Sequence, residues 1–265
     1  MTTRFHAVSH GKITQFEGVL AAVDMDDEMI DLVIAQPRLA GEWVDSLRVK
    51  LRPPSPMLPT FKNLFRTPEQ LFEAFKARNT ERKWGFTDEQ VRQLREQMPT
   101  LHKSTLQRLL TLRIWLGELS LTFEELWSWN KDVHDATWRW DYLKSDKKHL
   151  RLLNGRTYGK EKRVEWIVID VTANRGEAPK DVCSPSTSPD VEILAAAALH
   201  PDWPKAINYD TIPSVWLPGL QASALDGGDW MCVPRLSHYD RDVFLGASWC
   251  ADRYSNYAVP VFREL

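Results

Sequence analysis

Four segments of this chain begin with the same local chemistry. Thr67-Pro-Glu-Gln70, Thr87-Asp-Glu-Gln90, Ser104-Thr-Leu-Gln107 and Thr122-Phe-Glu-Glu125 are each a hydroxyl residue followed three positions later by Glu or Gln. In that capping box the two side chains reciprocally satisfy backbone N–H groups left free at a helix start. Pro68 occupies a favoured first helical position, and Phe86 with Val91 and Leu121 with Leu126 have the spacing of hydrophobic staples. Starts 17–20 residues apart predict short antiparallel helices over 68–79, 88–98, 105–116 and 123–132.

Further toward the N-terminus, Ile13, Phe16, Leu20 and Val23 fall on one helical face. A second helix starts at Asp26-Asp27-Glu28, whose charges complement a helix dipole, and Pro37 stops it. Asp24-x-Asp26-x-Glu28 superficially matches a calcium loop, but Met29 and Ala35 stand where a glycine and a bidentate Glu are needed. The four prolines of 51–59 read as an extended linker.

After residue 133 the apolar period changes from 3.6 to 2. Trp138, Trp140 and Tyr142 alternate with Thr137, Arg139 and Asp141, the pattern of a strand with an aromatic face. A strand at 149–153 is its expected partner. Val164–Ala173 is β-branched and apolar on both faces, as a central strand is. Ser188 and Pro189 predict the start of a helix running to His200, before Pro201 and Pro204. Short strands follow at 215–217, 230–233, 243–249 and 257–262, with turns at Asp226–Asp229 and Tyr239–Asp242. The fold class expected is α+β: N-terminal helices including a short-helix bundle, then a C-terminal mixed or antiparallel sheet with one or a few helices. The corresponding division is 1–133, a helical region with its linker at 51–59, and 134–265, an α+β region.

Charge is segregated along the chain although the total is only −2. Residues 51–180 carry 24 Lys and Arg against 17 Asp and Glu, while 181–265 carry 5 against 11. The densest stretch, Lys144–Arg163, holds eight basic residues and only Asp146 and Glu161 as acids. If 149–153 and 164–171 are paired strands, this stretch projects as a basic hairpin around Asn154-Gly155, a type I′ turn signal. Cations beside exposed rings suit a polyanion with stacked bases. The candidate nucleic-acid-binding residues are therefore Lys147, Lys148, Arg151, Arg156, Lys160, Lys162 and Arg163, with Trp138 and Trp140 as stackers. The alternative is a solvated loop beside core aromatics. Helices 88–98 and 105–116, with Arg92, Arg95, Lys103, Arg108 and Arg113, superficially match a helix-turn-helix, but the connection between them is longer than that motif uses.

Enzyme templates are absent. Gly246-Ala-Ser-Trp-Cys250 lacks the second glycine of a nucleophile elbow, and no phosphate loop, dinucleotide fingerprint or zinc-protease motif occurs. His6 and His10 have no third ligand nearby. Glu165 and Asp170 point to opposite sides of one strand. Asp226, Asp229, Asp240, Asp242 and Asp252, near Trp216, Trp230 and Trp249, could serve a glycosidase, yet all sit in predicted turns. Three widely spaced cysteines fit reduced thiols, no stretch reaches membrane-span length, and the start lacks a signal-peptide pattern. The expectation is a non-catalytic cytoplasmic binding protein without metal or cofactor, its preferred ligand nucleic acid. The alternatives are an adaptor or self-associating protein and, last, a hydrolase with a Trp/Asp-rich site.

Three segments, His200-Pro-Asp-Trp-Pro-Lys-Ala-Ile-Asn208, Val215-Trp-Leu-Pro-Gly219 and Tyr257-Ala-Val-Pro-Val-Phe-Arg263, resemble recurring segments of uncharacterised proteins of candidate-phylum bacteria. The resemblance spans about 145–263 and implies no chemistry.

Overall fold

Chain contacts divide the protein into Met1–Pro59 and Thr60–Leu265. The computed structural model describes residues 64–265 apart from 101–102, 142, 154–155, 224–229 and 240–241. The predicted N-terminal helices, the linker at 51–59, His6, His10, the Asn154-Gly155 turn and the Asp226–Asp229 turn lie outside the described residues.

Thr67 and Thr87 cap helices as their sequence requires. Thr67 Oγ1 accepts the Gln70 N–H at 3.3 Å while Gln70 Oε1 accepts the Thr67 N–H at 2.9 Å. The Thr87–Gln90 pair repeats this at 3.2 and 3.0 Å. They open α1 (Pro68–Arg82) and α2 (Asp88–Glu96). Leu71, Phe72 and Phe75 of α1 and Leu94 of α2 are buried.

The third capping box starts no helix. Leu109–Trp115 is a strand, β1, buried along its whole length, and Ser104 Oγ accepts the Leu110 N–H at 3.2 Å. Seven residues, apolar on one side and with Thr111 and the ion-paired Arg113 on the other, are too few for a stable helix but suit a fully covered strand. With β1 in that place the helix-turn-helix reading fails, since α2 is followed by a strand. The fourth helix, α3 (Leu119–Val133), begins a turn early. Thr122 lies inside it, its hydroxyl donating to the Glu118 carbonyl at 2.7 Å and accepting the Leu116 N–H at 3.0 Å.

Beyond α3 come the short strands β2 (Thr137–Arg139) and β3 (Leu150–Leu152), then β4 (Arg163–Asp170). The β4 strand is central in a three-stranded antiparallel sheet, with β1 on one edge and the C-terminal strand (Val261–Glu264) on the other. Residues from before and after position 133 therefore share one sheet. The single-turn α4 (Pro179–Val182) precedes α5 (Glu192–Leu199). All eight residues of α5 are buried, as expected of a helix apolar on every side.

After the single-turn α6 (Asp202–Lys205) come β5 (Ser214–Trp216), β6 (Leu220–Ala222), β7 (Cys232–Tyr239), β8 (Asp242–Trp249) and β9 (Tyr257–Ala258); the C-terminal strand is β10. Strands β5–β9 together with β2 and β3 build a seven-stranded mixed sheet. Its main path runs β2-β8-β7-β5-β9, and β6 bridges β7 to β3. The β2–β8 and β5–β9 pairs are parallel. The fold is thus α+β.

Two expectations are overturned here: β2 pairs with β8 and not with β3, and β3 does not form a hairpin with β4. The β3 strand pairs with β6 in the large sheet, whereas β4 pairs with β1 and β10 in the small one. The described residues between β3 and β4 therefore belong to a crossover between two sheets, not to the arm of a hairpin, because the partners of β3 and β4 come from distant parts of the chain.

Candidate functional site

Register decides which side chains share a face of the large sheet. On one face Leu150, Ala222, Leu236, Val243 and Leu245 enter the main core. Cross-strand neighbours place Trp138, Phe244, Arg235, Trp216, Gln221 and Arg151 together on the other. The middle of this second face is covered: Trp216, Val233, Tyr257 and Val259 are buried, with Val182, Cys250 and Tyr254 packed against them.

Its flanks carry ring stacks. Trp138 lies parallel to Phe244, with centroids 4.5 Å apart and planes 6° apart, and it remains 43% exposed. Gly246 makes room for the Phe244 ring, since a Cβ there would come 2.5 Å from the ring edge. The Arg235 guanidinium stands between Phe244, at 5.7 Å, and Tyr257, at 5.0 Å. On the opposite flank the Arg151 guanidinium lies 4.3 Å from the Trp230 ring centroid, and its Nε donates to Gln221 Oε1 at 3.0 Å. Met231 and Trp249 nearby are 42% and 53% exposed.

The basic residues predicted from sequence divide into three groups. Lys147, Lys148, Lys160 and Arg163 are exposed. Lys147 and Lys160 line one groove of about 420 Å³ with Leu116, Gly117, Glu118 and Leu121. The Lys147 ammonium is 3.5 Å from Glu118, a weak, solvated contact. Gly117, at φ +92°, lets the crossover pass close by, because a Cβ would come 2.6 Å from the Lys160 carbonyl oxygen. Arg163 lines a second groove of about 250 Å³ with Gln90, Gln93 and Gln97 of α2. Lys162 is committed to structure, its Nζ donating to the Trp84 carbonyl at 2.5 Å. Trp140 packs half-buried against the main core.

Arg156 is committed more deeply. Its Nε is 3.1 Å from Asp190 Oδ2 and its Nη2 2.9 Å from Glu192 Oε1, both carboxylates being fully buried. Arg113 reaches Glu192 Oε1 at 2.8 Å and Glu165 Oε1 at 2.5 Å. The Tyr158 hydroxyl donates to Asp190 at 2.8 Å and Glu192 at 2.9 Å. The pair is unequal: burial and the neighbouring Glu192 push the Asp190 carboxyl well up, while burial of the Glu192 carboxyl is outweighed by Arg156, the Asp190 contact and Arg113, which hold it low. Burial raises the Tyr158 hydroxyl far above its ordinary value, reinforced by Asp190 and Glu192. These groups are paired with one another and closed to a ligand.

The C-terminal aspartates offer no carboxyl pair among the described residues. Asp252 is buried and accepts the Tyr254 hydroxyl at 2.9 Å, and Trp216 is buried too; Asp226, Asp229 and Asp240 lie outside the described residues. No cluster of three metal-binding side chains occurs among the described residues, and no described helix is long and apolar enough to cross a membrane.

Two ring positions escape a reading of the sequence alone. Phe244, flanked by Val243 and Leu245, is assigned to the outer face only by register. Trp230 belongs with Arg151 only because β6 joins β7 to β3. No family model matches the chain, and neither does any curated protein or solved structure.

Proposed function

We propose that this protein binds single-stranded nucleic acid, in the cytoplasm, at the flanks of the second face of the large sheet and at the lysines next to them along the chain. Lys147, Lys148 and Lys160 take phosphates, and Trp230 and Trp138 take bases. The observation that carries this reading is the Arg151–Trp230 stack at 4.3 Å, three residues along the chain from Lys148. The ring and guanidinium stand at the sheet edge, and the chain leads from Arg151 back through Lys148 to Lys147 in the lysine-lined groove. Single-strand sites combine these parts: cations follow the backbone while rings accept any base. A sheet face holding rings at its flanks suits unpaired bases better than a duplex.

Fluorescence anisotropy with labelled single- and double-stranded DNA and RNA, titrated across salt, tests this. Each phosphate neutralised on a single strand contributes about −0.7 to the log–log salt slope, so three lysines predict a slope near −2. Changing Lys147, Lys148 and Lys160 together to Glu abolishes binding on this reading. Absence of binding at low salt would sink it and turn attention to the exposed Met231 and Trp249 as a protein-docking edge. Light scattering against concentration would then identify self-association.

A further inference from the structure

Resting on that reading, we infer that the ligand is a strand long enough to bridge two separate stacking stations, Trp230 and Trp138, and that dinucleotides and trinucleotides fill only the first. Register supplies the separation. Trp138 is level with Phe244 on β8, which is level with Ser237 on β7. Arg151 is level with Gln221 on β6, one residue before the Ala222–Cys232 pair, and so with the Val233–Ser248 row. The stations are thus four strands apart laterally and four residues apart along the strands. At about 4.8 Å per strand and 3.4 Å per residue this is roughly 23 Å.

No single base, nor a stacked pair, spans such a distance. Sheet-type sites begin at about four nucleotides, and roughly 23 Å corresponds to about seven at the stacked spacing of 3.4 Å. Between the stations stands Arg235, its guanidinium held between the rings of Phe244 and Tyr257. That guanidinium also donates to the Tyr257 hydroxyl within the covered middle of the face, so the ligand between the stations passes over this cover rather than against the sheet. The two stations are unequal. Arg151, Lys148 and Lys147 give the Trp230 end its charge, whereas Arg139, beside Trp138, pairs with Glu124 at 2.8 Å. Short strands therefore settle at Trp230, and only longer ones reach Trp138.

The test is a length series of labelled oligothymidylates and oligouridylates, from two to twelve nucleotides, against wild type, Trp138→Ala, Trp138→Phe and Trp230→Ala at one low salt concentration. Wild-type affinity should climb to a length of about five to eight nucleotides and then flatten. Base stacking predicts that Trp138→Ala weakens an octamer roughly 5- to 150-fold, while a trimer loses less than twofold and Trp138→Phe recovers most of the deficit. Trp230→Ala should weaken every length. Equal losses at all lengths for Trp138→Ala, or no loss at any, would overturn the bridged strand while leaving nucleic-acid binding in place. Absence of binding at every length would remove the parent reading as well. Matched thermal melts separate a lost station from a lost fold, and Trp138, already 43% exposed, is a tolerant site for that comparison.

Discussion

Arg156 and Lys160 are four residues apart in the most basic stretch of the chain, and the molecule uses them in opposite ways. The guanidinium of Arg156 is buried between two fully buried carboxylates, with the rings of Tyr158 at 4.9 Å and Phe262 at 5.1 Å. Lys160 reaches solvent and lines a groove with Lys147. The difference comes from what each meets after folding. The chain just before α5 delivers Asp190, and α5 itself Glu192, to the first position; nothing comparable arrives at the second. Local charge density therefore does not announce a binding surface. Half of such a stretch can be the fastener that holds one sheet to a buried helix, and the other half the surface that faces a ligand.

The sharpest way to break this contrast is to remove Glu192, which touches both Arg113 and Arg156. Glu192→Ala leaves two buried guanidiniums short of their shared partner. Losing one member of a buried ion pair costs about 3–5 kcal/mol, a large part of a domain's whole stability of roughly 5–15 kcal/mol. The urea midpoint should drop accordingly, or the variant should fail to fold. A loss under about 1 kcal/mol would show that the cluster is not a fastener.

Two buried histidines give the next effect. His200 is locked as a neutral ring: Nδ1 accepts the Arg66 N–H at 3.0 Å and Nε2 lies 2.8 Å from the Leu110 carbonyl, to which it donates. Burial, with help from Arg66, lowers its pKa to about 4. Burial, reinforced by Lys205 and His238, lowers that of His134 to about 4 as well. The unfolded chain takes up these protons near pH 6.5, so between about 6.5 and 4 it binds more protons than the native state. Stability therefore falls as pH falls through that window and levels off below it. At 1.36 kcal/mol per unit, each ring accounts for about 3 kcal/mol. Urea unfolding from pH 7.5 to 4.5 measures the slope, and His134→Gln should remove one ring's share. A pH-independent midpoint would refute the assignment.

Much of the architecture is legible in the sequence where the determining chemistry is local. Thr67 and Thr87 start helices because a cap needs only its own next three residues. The β-branched run at 164–173 reads as a central strand because burial on both faces leaves its mark on every residue. Ser104 misleads for the complementary reason: its letters fit a cap, but the run after it is decided by pairing with β4, more than fifty residues on. The basic hairpin fails likewise, since adjacent strands in sequence go to different sheets. At the candidate site the exposed lysines and Trp138 are recoverable from pattern. The partnership of Arg151 with Trp230 depends on two successive strand pairings that no local signal encodes.

The smallest effect on stability is the one that most sharpens the comparison. Lys147, Lys148 and Lys160 are exposed, and the ion contact of Lys147 with Glu118 is long and solvated. Changing each singly to Glu should alter stability by no more than about 0.5 kcal/mol, as surface substitutions away from caps and buried networks do. The same changes should each reduce the magnitude of the salt slope for single-stranded nucleic acid by up to about one, the signature of a lost phosphate contact. Glu192→Ala acts on the other quantity, since it destabilises the protein without touching the strip. Unfolding curves and salt titrations on the same four variants therefore form a crossed design. If a lysine change destabilises as strongly as the loss of Glu192, fastener and surface are one system. If the lysine changes leave both stability and salt slope untouched, the strip is only solvated charge.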